Sequence, residues 1–136
     1  MPNTIKLEIV TPKGTFYSGD VEMVTLPGVE GQMGILPNHA RLMTQVVPGE
    51  VIVRKGGQDD FIAVGGGLIE VTWDRVAIAT DMAIDAQNID EAAVEEARQR
   101  AAARLQEKIS SEEVASVNAS LARSLAQLHV KRRRRA

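Results

Sequence analysis

The residue types that usually do chemistry are few in this chain and poorly spaced for it. His39 and His129 lie in opposite halves, and neither has a second histidine or a carboxylate pattern at metal-ligand spacing. Cysteine is absent, which removes thiol nucleophiles, thiolate metal sites and disulfides together and is compatible with a reducing compartment. No serine stands in a GxSxG elbow. Gly28-Val29-Glu30-Gly31-Gln32-Met33-Gly34 spaces its glycines as GxxGxxG, not as the GxGxxG of a dinucleotide loop, and no GxxxxGK[ST] loop occurs. These glycines therefore read as turn formers. The acidic residues are scattered over strand edges and helix faces, where solvation accounts for them. No catalytic residue and no metal ligand is expected, and the chain reads as a non-enzyme.

What remains is an asymmetry of charge. Net charge is −2 although five consecutive cations, Lys131-Arg132-Arg133-Arg134-Arg135, stand near the end, so the body is strongly acidic. Three readings of that run stay open: a solvated terminus, a contact with an anionic polymer or lipid, and a clamp on an acidic protein surface. Nucleic acid is not an expected partner, because no aromatic residues interleave with the cations. Gly65-Gly66-Gly67, between two apolar runs, reads as a sharp corner in preference to a close approach to ligand. Trp73 reads as a core or rim residue and not as a binding platform.

The elements that position these residues fall into two halves. From Ile5 to about Asp81, short runs of Val, Ile, Leu and Thr alternate with turn residues at roughly eight-to-twelve-residue intervals, as an all-β sandwich or barrel requires. Ile5-Lys6-Leu7-Glu8-Ile9 alternates with period two, and Val21–Leu26, Val51–Arg54, Phe61–Val64, Leu68–Thr72 and Val76–Thr80 repeat the theme. The punctuation comes from Pro12-Lys13-Gly14, Pro27-Gly28, Pro48-Gly49, Gly56-Gly57, the three glycines at 65–67 and Asp74-Arg75. A two-sheet sandwich of eight to ten strands is expected over residues 1–85.

After Asp85 glycine and proline stop, alanine becomes abundant, and Val94, Ala97, Ala101 and Leu105 recur at helical spacing. Asn88-Ile89-Asp90-Glu91 reads as one helix start and Ser110-Ser111-Glu112-Glu113 as a capping box for a second, whose stripe is Val114, Val117, Leu121, Leu125 and Leu128. Residues 86–136 are therefore expected to form an antiparallel two-helix hairpin with a basic tail. An alanine stripe buries little area, so the hairpin is expected to be weakly held and to dock elsewhere or exchange between conformations. The weakly polar run Phe61–Ile69 is far short of the roughly 20 residues that cross a bilayer. The first residues lack the pattern of a secretory signal or transit peptide, so the chain is expected to work where it is made, and the sequon at Asn118 reads as accidental.

Two long stretches carry a resemblance. Leu26-Pro27-Gly28-Val29-Glu30-Gly31-Gln32-Met33-Gly34-Ile35-Leu36-Pro37-Asn38-His39-Ala40 closely resembles the signature of F-type ATP synthase epsilon subunits, and so does Phe61-Ile62-Ala63-Val64-Gly65-Gly66-Gly67-Leu68-Ile69-Glu70-Val71 with Val76–Asp81 after it. The resemblance extends over nearly the whole chain. It implies a ten-stranded sandwich that binds the gamma subunit and rests on the c-subunit ring, in a rotary complex that couples proton transport to ATP synthesis. It also implies a mobile hairpin that either folds on the sandwich or extends into the catalytic alpha and beta subunits and inhibits hydrolysis. By position in the family loop, Glu30, Gln32, Met33 and His39 would face the c ring. The implied location is the cytoplasmic face of a bacterial plasma membrane, or the stromal side in a plastid, as a peripheral subunit. The tail Lys131–Arg135 would meet an acidic segment of beta.

Some family members bind ATP through an Ile/Leu-Asp-x-x-Arg-Ala motif, which falls here on Ile89-Asp90-Glu91-Ala92-Ala93-Val94. Ile89, Asp90 and Arg123 match their family positions, whereas Ala93, Val94 and Gln127 depart from them. Loss of cations that would hold phosphate weakens such a site. No resident cofactor is expected, and a nucleotide-sensing hairpin stands as the alternative function.

Overall fold

The computed structural model describes residues 3–135, with side chains described as far as Arg133. Ten strands come first: β1 (Ile5–Thr11), β2 (Gly14–Val21), β3 (Met23–Gly28), β4 (Gly31–Ile35), β5 (Leu42–Val46), β6 (Gly49–Lys55), β7 (Gln58–Val64), β8 (Gly67–Thr72), β9 (Arg75–Thr80) and β10 (Ala83–Asp85). A 3-10 turn (Ala86–Asn88) leads into helices α1 (Glu91–Leu105) and α2 (Ser111–Arg135). The strands form two faces, β4-β3-β6-β7-β10 and β5-β8-β9-β1-β2, joined where Gly28 of β3 meets Val46 of β5. The β1–β9 pair is parallel.

Period two decides the core. Ile5, Leu7 and Ile9 are fully buried, and so are Val24, Leu26, Val51, Val53, Ile69, Val71, Val76 and Ile78. Every buried member of this main cluster comes from a strand, and Phe16 and Tyr17 only flank it, so aliphatic packing dominates as the scarcity of aromatics requires. Trp73 sits on the tight turn between β8 and β9 with 61% of its surface exposed, a rim position.

Several sequence expectations shift. The expected Val21–Leu26 strand is split: Val21 ends β2 and Met23 begins β3, because the chain bends at Glu22, whose N–H donates to the Arg54 carbonyl at 2.8 Å. Pro27-Gly28 does not punctuate but lies buried within β3. Proline is tolerated there because the carbonyl is what the strand uses, accepting from Val47 N–H at 2.9 Å. Gly56 and Gly57 both have positive φ (62° and 75°), the geometry of the two-residue hairpin between β6 and β7. The corner at 65–67 is confirmed in detail: a Cβ on Gly67 would overlap the Ala79 carbonyl, and one on Gly65 the Asp81 carboxylate. The close approach is thus of the chain to itself.

The hairpin also differs in register. Asp90, not Asn88, caps α1, accepting from Ala93 N–H at 3.1 Å, because residues 86–88 are taken by the 3-10 turn and Ile89 is buried. Ser110 caps α2 as expected, accepting from Glu113 N–H at 3.2 Å. Among the described side chains of α2 the buried ones are Ser124, Ala126, Leu128 and Val130, whereas Leu125 is 48% exposed. The reason is that α2 has two contact faces. The stripe through Leu121, Ser124 and Leu128 continues to Arg132, which pairs with α1, while Arg123, Gln127, Val130 and Arg133 meet the sandwich. No residue of α1 is buried.

Candidate functional site

The β3–β4 hairpin turns at Gly31, whose φ of 119° excludes an ordinary side chain, and its tip presents Val29, Glu30 and Gln32 to solvent. Glu30, Gln32 and Met33 share one shallow depression with Val29 and Thr44. His39 is not part of it. It follows the far end of β4, where Asn38, in the left-handed region at φ 66°, donates its N–H to the Trp73 carbonyl at 3.0 Å. His39 Nδ1 donates to the Ala40 carbonyl at 2.6 Å, and exposed Leu36 lies in the same loop. The four expected residues thus divide between the two ends of β4.

A second surface escaped the sequence reading. The outward registers of β5, β8, β9 and β1 align Met43, Glu70, Ala77 and Glu8 in one row and Gln45, Leu68, Ala79 and Val10 in the next. Met43 and Leu68 are 68% and 56% exposed, so this face is apolar with two carboxylates set in it. The signal in the sequence was the presence of apolar residues at both phases of the strand alternation, in Leu42-Met43 and Leu68-Ile69.

The basic run is neither a free tail nor irregular: it forms the last turns of α2. Lys131 Nζ donates to the Ala86 carbonyl at 3.2 Å. Arg132 bonds Glu91 at 2.8 Å and Glu95 at 3.1 Å. Arg133 donates to Glu50 Oε1 at 2.6 Å while its guanidinium lies 5.7 Å from the Phe61 ring centroid. Glu50, on β6, is 4% exposed. The side chains of Arg134 and Arg135 lie outside the described residues. Glu95 is held at a pKa of about 2, first by its hydrogen bond to Arg98 and then with help from Arg132.

The three residues matched to the family's nucleotide motif do not converge. Ile89 is buried with Ala63, Ala86 and Val130, and Asp90 is spent on its helix cap. Arg123 meets Asp81 at 3.4 Å, and Gln127 reaches Met82 Sδ at 3.7 Å. A further depression holds Tyr17, Asp60 and Asp85, with the Asp85 carboxyl pushed up by burial and by Asp60. Pairing of β10 with β7 creates that proximity, which no spacing shows. Among the described residues no group of three or more His, Asp or Glu could hold a metal ion.

Comparison with known proteins agrees across both halves. Residues 4–86 match the family described as ATP synthase, Delta/Epsilon chain, beta-sandwich domain. Residues 87–132 match its long alpha-helix domain. The "ATP synthase epsilon chain" of Alkalilimnicola ehrlichii is 39% identical over 134 residues, covering 98% of this chain and 96% of the relative. Among solved structures, a chain of the Euglena gracilis mitochondrial ATP synthase (OSCP/F1/c-ring, rotational state 1) superposes with a TM-score of 0.75 at 25% identity, covering 90% of this chain and 78% of that one. A chain of the Tetrahymena thermophila mitochondrial ATP synthase central stalk and c-ring shares the fold, with a TM-score of 0.64 at 13% identity and coverages of 93% and 96%. With both domains matched in order and the relative aligned almost end to end, the chain belongs to the epsilon-chain family of ATP synthase.

Proposed function

We propose that this chain is a non-catalytic rotor subunit in the central stalk, whose sandwich joins the gamma subunit to the c ring and whose hairpin restrains ATP hydrolysis. One observation carries the division of labour: the main core is built entirely from strands, so the helices can leave without opening it. The sandwich keeps two separate docking surfaces. The tip with Glu30, Gln32 and Met33 suits the c ring, while the apolar face around Met43 and Leu68 suits a helical partner such as gamma. His39, in the loop that carries exposed Leu36 and is tied to Trp73 through Asn38, offers a further contact at the opposite end of β4.

As a synthase subunit the chain works in a membrane-associated complex, and among the described residues no helix is long and apolar enough to cross a membrane. Peripheral attachment at the cytoplasmic face of a bacterial plasma membrane fits the bacterial relative. When the hairpin extends, Arg132 and Arg133 leave Glu91, Glu95 and Glu50 and become available to an acidic segment of the beta subunit. The test is reconstitution of stripped membranes with full-length protein or with protein cut after Asp85. The truncated protein should restore gamma binding and proton-coupled synthesis while hydrolysis runs faster. Equal hydrolysis with both proteins would remove the hairpin's role, and failure of the truncated form to assemble would refute the independence of the sandwich.

A further inference from the structure

We infer that Arg133, near the end of α2, is a latch that holds the hairpin on the sandwich, with the buried carboxylate of Glu50 as its receptor. This deepens the proposed function, since it rests on the reading that the hairpin moves, and it specifies what must break for it to do so.

Three observations lead to it. The hairpin touches the sandwich through the second half of α2 and the 3-10 turn, while α1 buries no residue, so the hold is concentrated near the chain end. The apolar part of that hold is small, a cluster of Ala63, Ala86, Ile89 and Val130 flanked by the partly buried Phe61, Ile84 and Val94. Beside it lies Glu50, 4% exposed, a carboxylate that a folded protein tolerates only with a cation and hydrogen bonds around it. Arg133 supplies a cation and a hydrogen bond to Oε1 at 2.6 Å, and the centre of the same guanidinium lies over the Phe61 ring, 5.7 Å from its centroid. A strand acid and a strand aromatic thus converge on one cation from the helix, and arginine meets that pair of demands better than lysine.

The geometry also makes the latch exclusive. Arg132 is shared between Glu91 and Glu95 of α1, and Lys131 is bonded to the Ala86 carbonyl, so all three described cations of the run are engaged in the folded form. Release of the hairpin uncovers Glu50 and frees Arg133 in the same step. An anionic surface that captures these cations therefore competes directly with Glu50, and docking and capture cannot coexist for Arg133.

The test is amide hydrogen exchange on the isolated full-length protein, comparing the native chain with Glu50→Gln, Arg133→Gln, the double variant and Arg133→Lys. Each single neutralisation should raise exchange across residues 124–131 of α2 at least about tenfold, with β1 and β9 amides unchanged. The double variant should exchange no faster than the stronger single one, and Arg133→Lys should fall between native and Arg133→Gln. Unchanged α2 exchange in both single variants would overturn the latch, and effects that multiply in the double variant would overturn the pairing. If Glu50→Gln also loosened β1 and β9, Arg133→Gln, which lies outside the sandwich, would decide alone. Hydrolysis by the assembled complex is a separate readout: fast α2 exchange with unaltered hydrolysis keeps the latch and rejects the hairpin's inhibitory role.

Discussion

Truncating Val130 to alanine should loosen the hairpin without weakening the sandwich. Val130 is fully buried, yet it belongs to the small cluster of Ala63, Ala86 and Ile89, flanked by Phe61, Ile84 and Val94, and has no place in the main strand core. Removing two buried methyl groups costs about 1.6 kcal/mol at ~0.8 kcal/mol each, and the void left behind brings the loss to about 2 kcal/mol. At 1.4 kcal/mol per factor of ten, the ratio of docked to undocked hairpin should fall roughly 30-fold. Tryptic cleavage within α2, which carries Arg123 and the basic run, reads this population when opening is fast relative to cleavage. The initial rate should rise by about that factor while the urea midpoint of the sandwich stays put. An unchanged cleavage rate would mean that Val130 contributes nothing to docking. A fall in sandwich stability of the same ~2 kcal/mol would mean that helix and sandwich unfold as one unit, and the independence of the two parts would be refuted.

Three other outcomes follow from the same geometry. ATP should bind the isolated chain weakly, because Asp90 is committed to its cap, Arg123 to Asp81, and Ala93 offers no cation; a micromolar dissociation constant by calorimetry would contradict this. Asp85→Asn should stabilise the protein at pH 7 by up to about 0.5 kcal/mol in urea titrations, since Asp85 pairs with Ile62 and so sits diagonal to Asp60. Its carboxyl is raised by burial and by Asp60, so the native chain loses stability as pH climbs from 3.8 through the raised value, and the variant's advantage should vanish at pH 3. Glu95 titrates in the opposite sense. Its pKa is lowered from 4.5 to about 2, chiefly by Arg98 within α1 and then by Arg132 of α2, so the contribution of these pairs is complete above 4.5 and lost as pH falls toward 2; helical circular dichroism should drop in that window, and Glu95→Gln should remove that component of the drop.

Legibility in the sequence followed the strength of local pattern. Ile5, Leu7 and Ile9 announced β1 because burial on one face imposes strict alternation. Strand β2 went unseen, for it is an edge strand whose Gly14-Thr15-Phe16-Tyr17-Ser18-Gly19 has little that alternates. Strand β4 hid behind the glycines at 31 and 34, which serve its hairpin: Gly31 turns the chain, and a Cβ at Gly34 would strike the end of Met23. Strand β10 is three residues long and is defined only by pairing with β7. The basic run was plain as a run, but its partners were not. Glu50 lies 83 residues from Arg133, and no periodicity spans that distance. The same limit hid the Asp60–Asp85 pair, which only the sheet brings together.

The chain therefore joins two parts held by different forces. The sandwich is held by aliphatic burial, which is non-directional and nearly indifferent to moderate salt. The hairpin is held on the sandwich by one small apolar cluster and by the ion pairs of Arg123 with Asp81 and Arg133 with Glu50, whose arginines keep a third to a half of their side-chain surface exposed. Charges so exposed are screened over about 8–10 Å at physiological ionic strength, whereas the apolar cluster that forms the main strand core has nothing to screen. Ionic conditions and anionic partners can thus shift the helices while the sandwich keeps its shape. On the function proposed above, the sandwich has to stay rigid between its two neighbours and the hairpin has to be releasable. An arginine near the end of α2 and a buried glutamate on β6 serve that reading, because they add to the contact that must break an electrostatic part that the main strand core does not rely on.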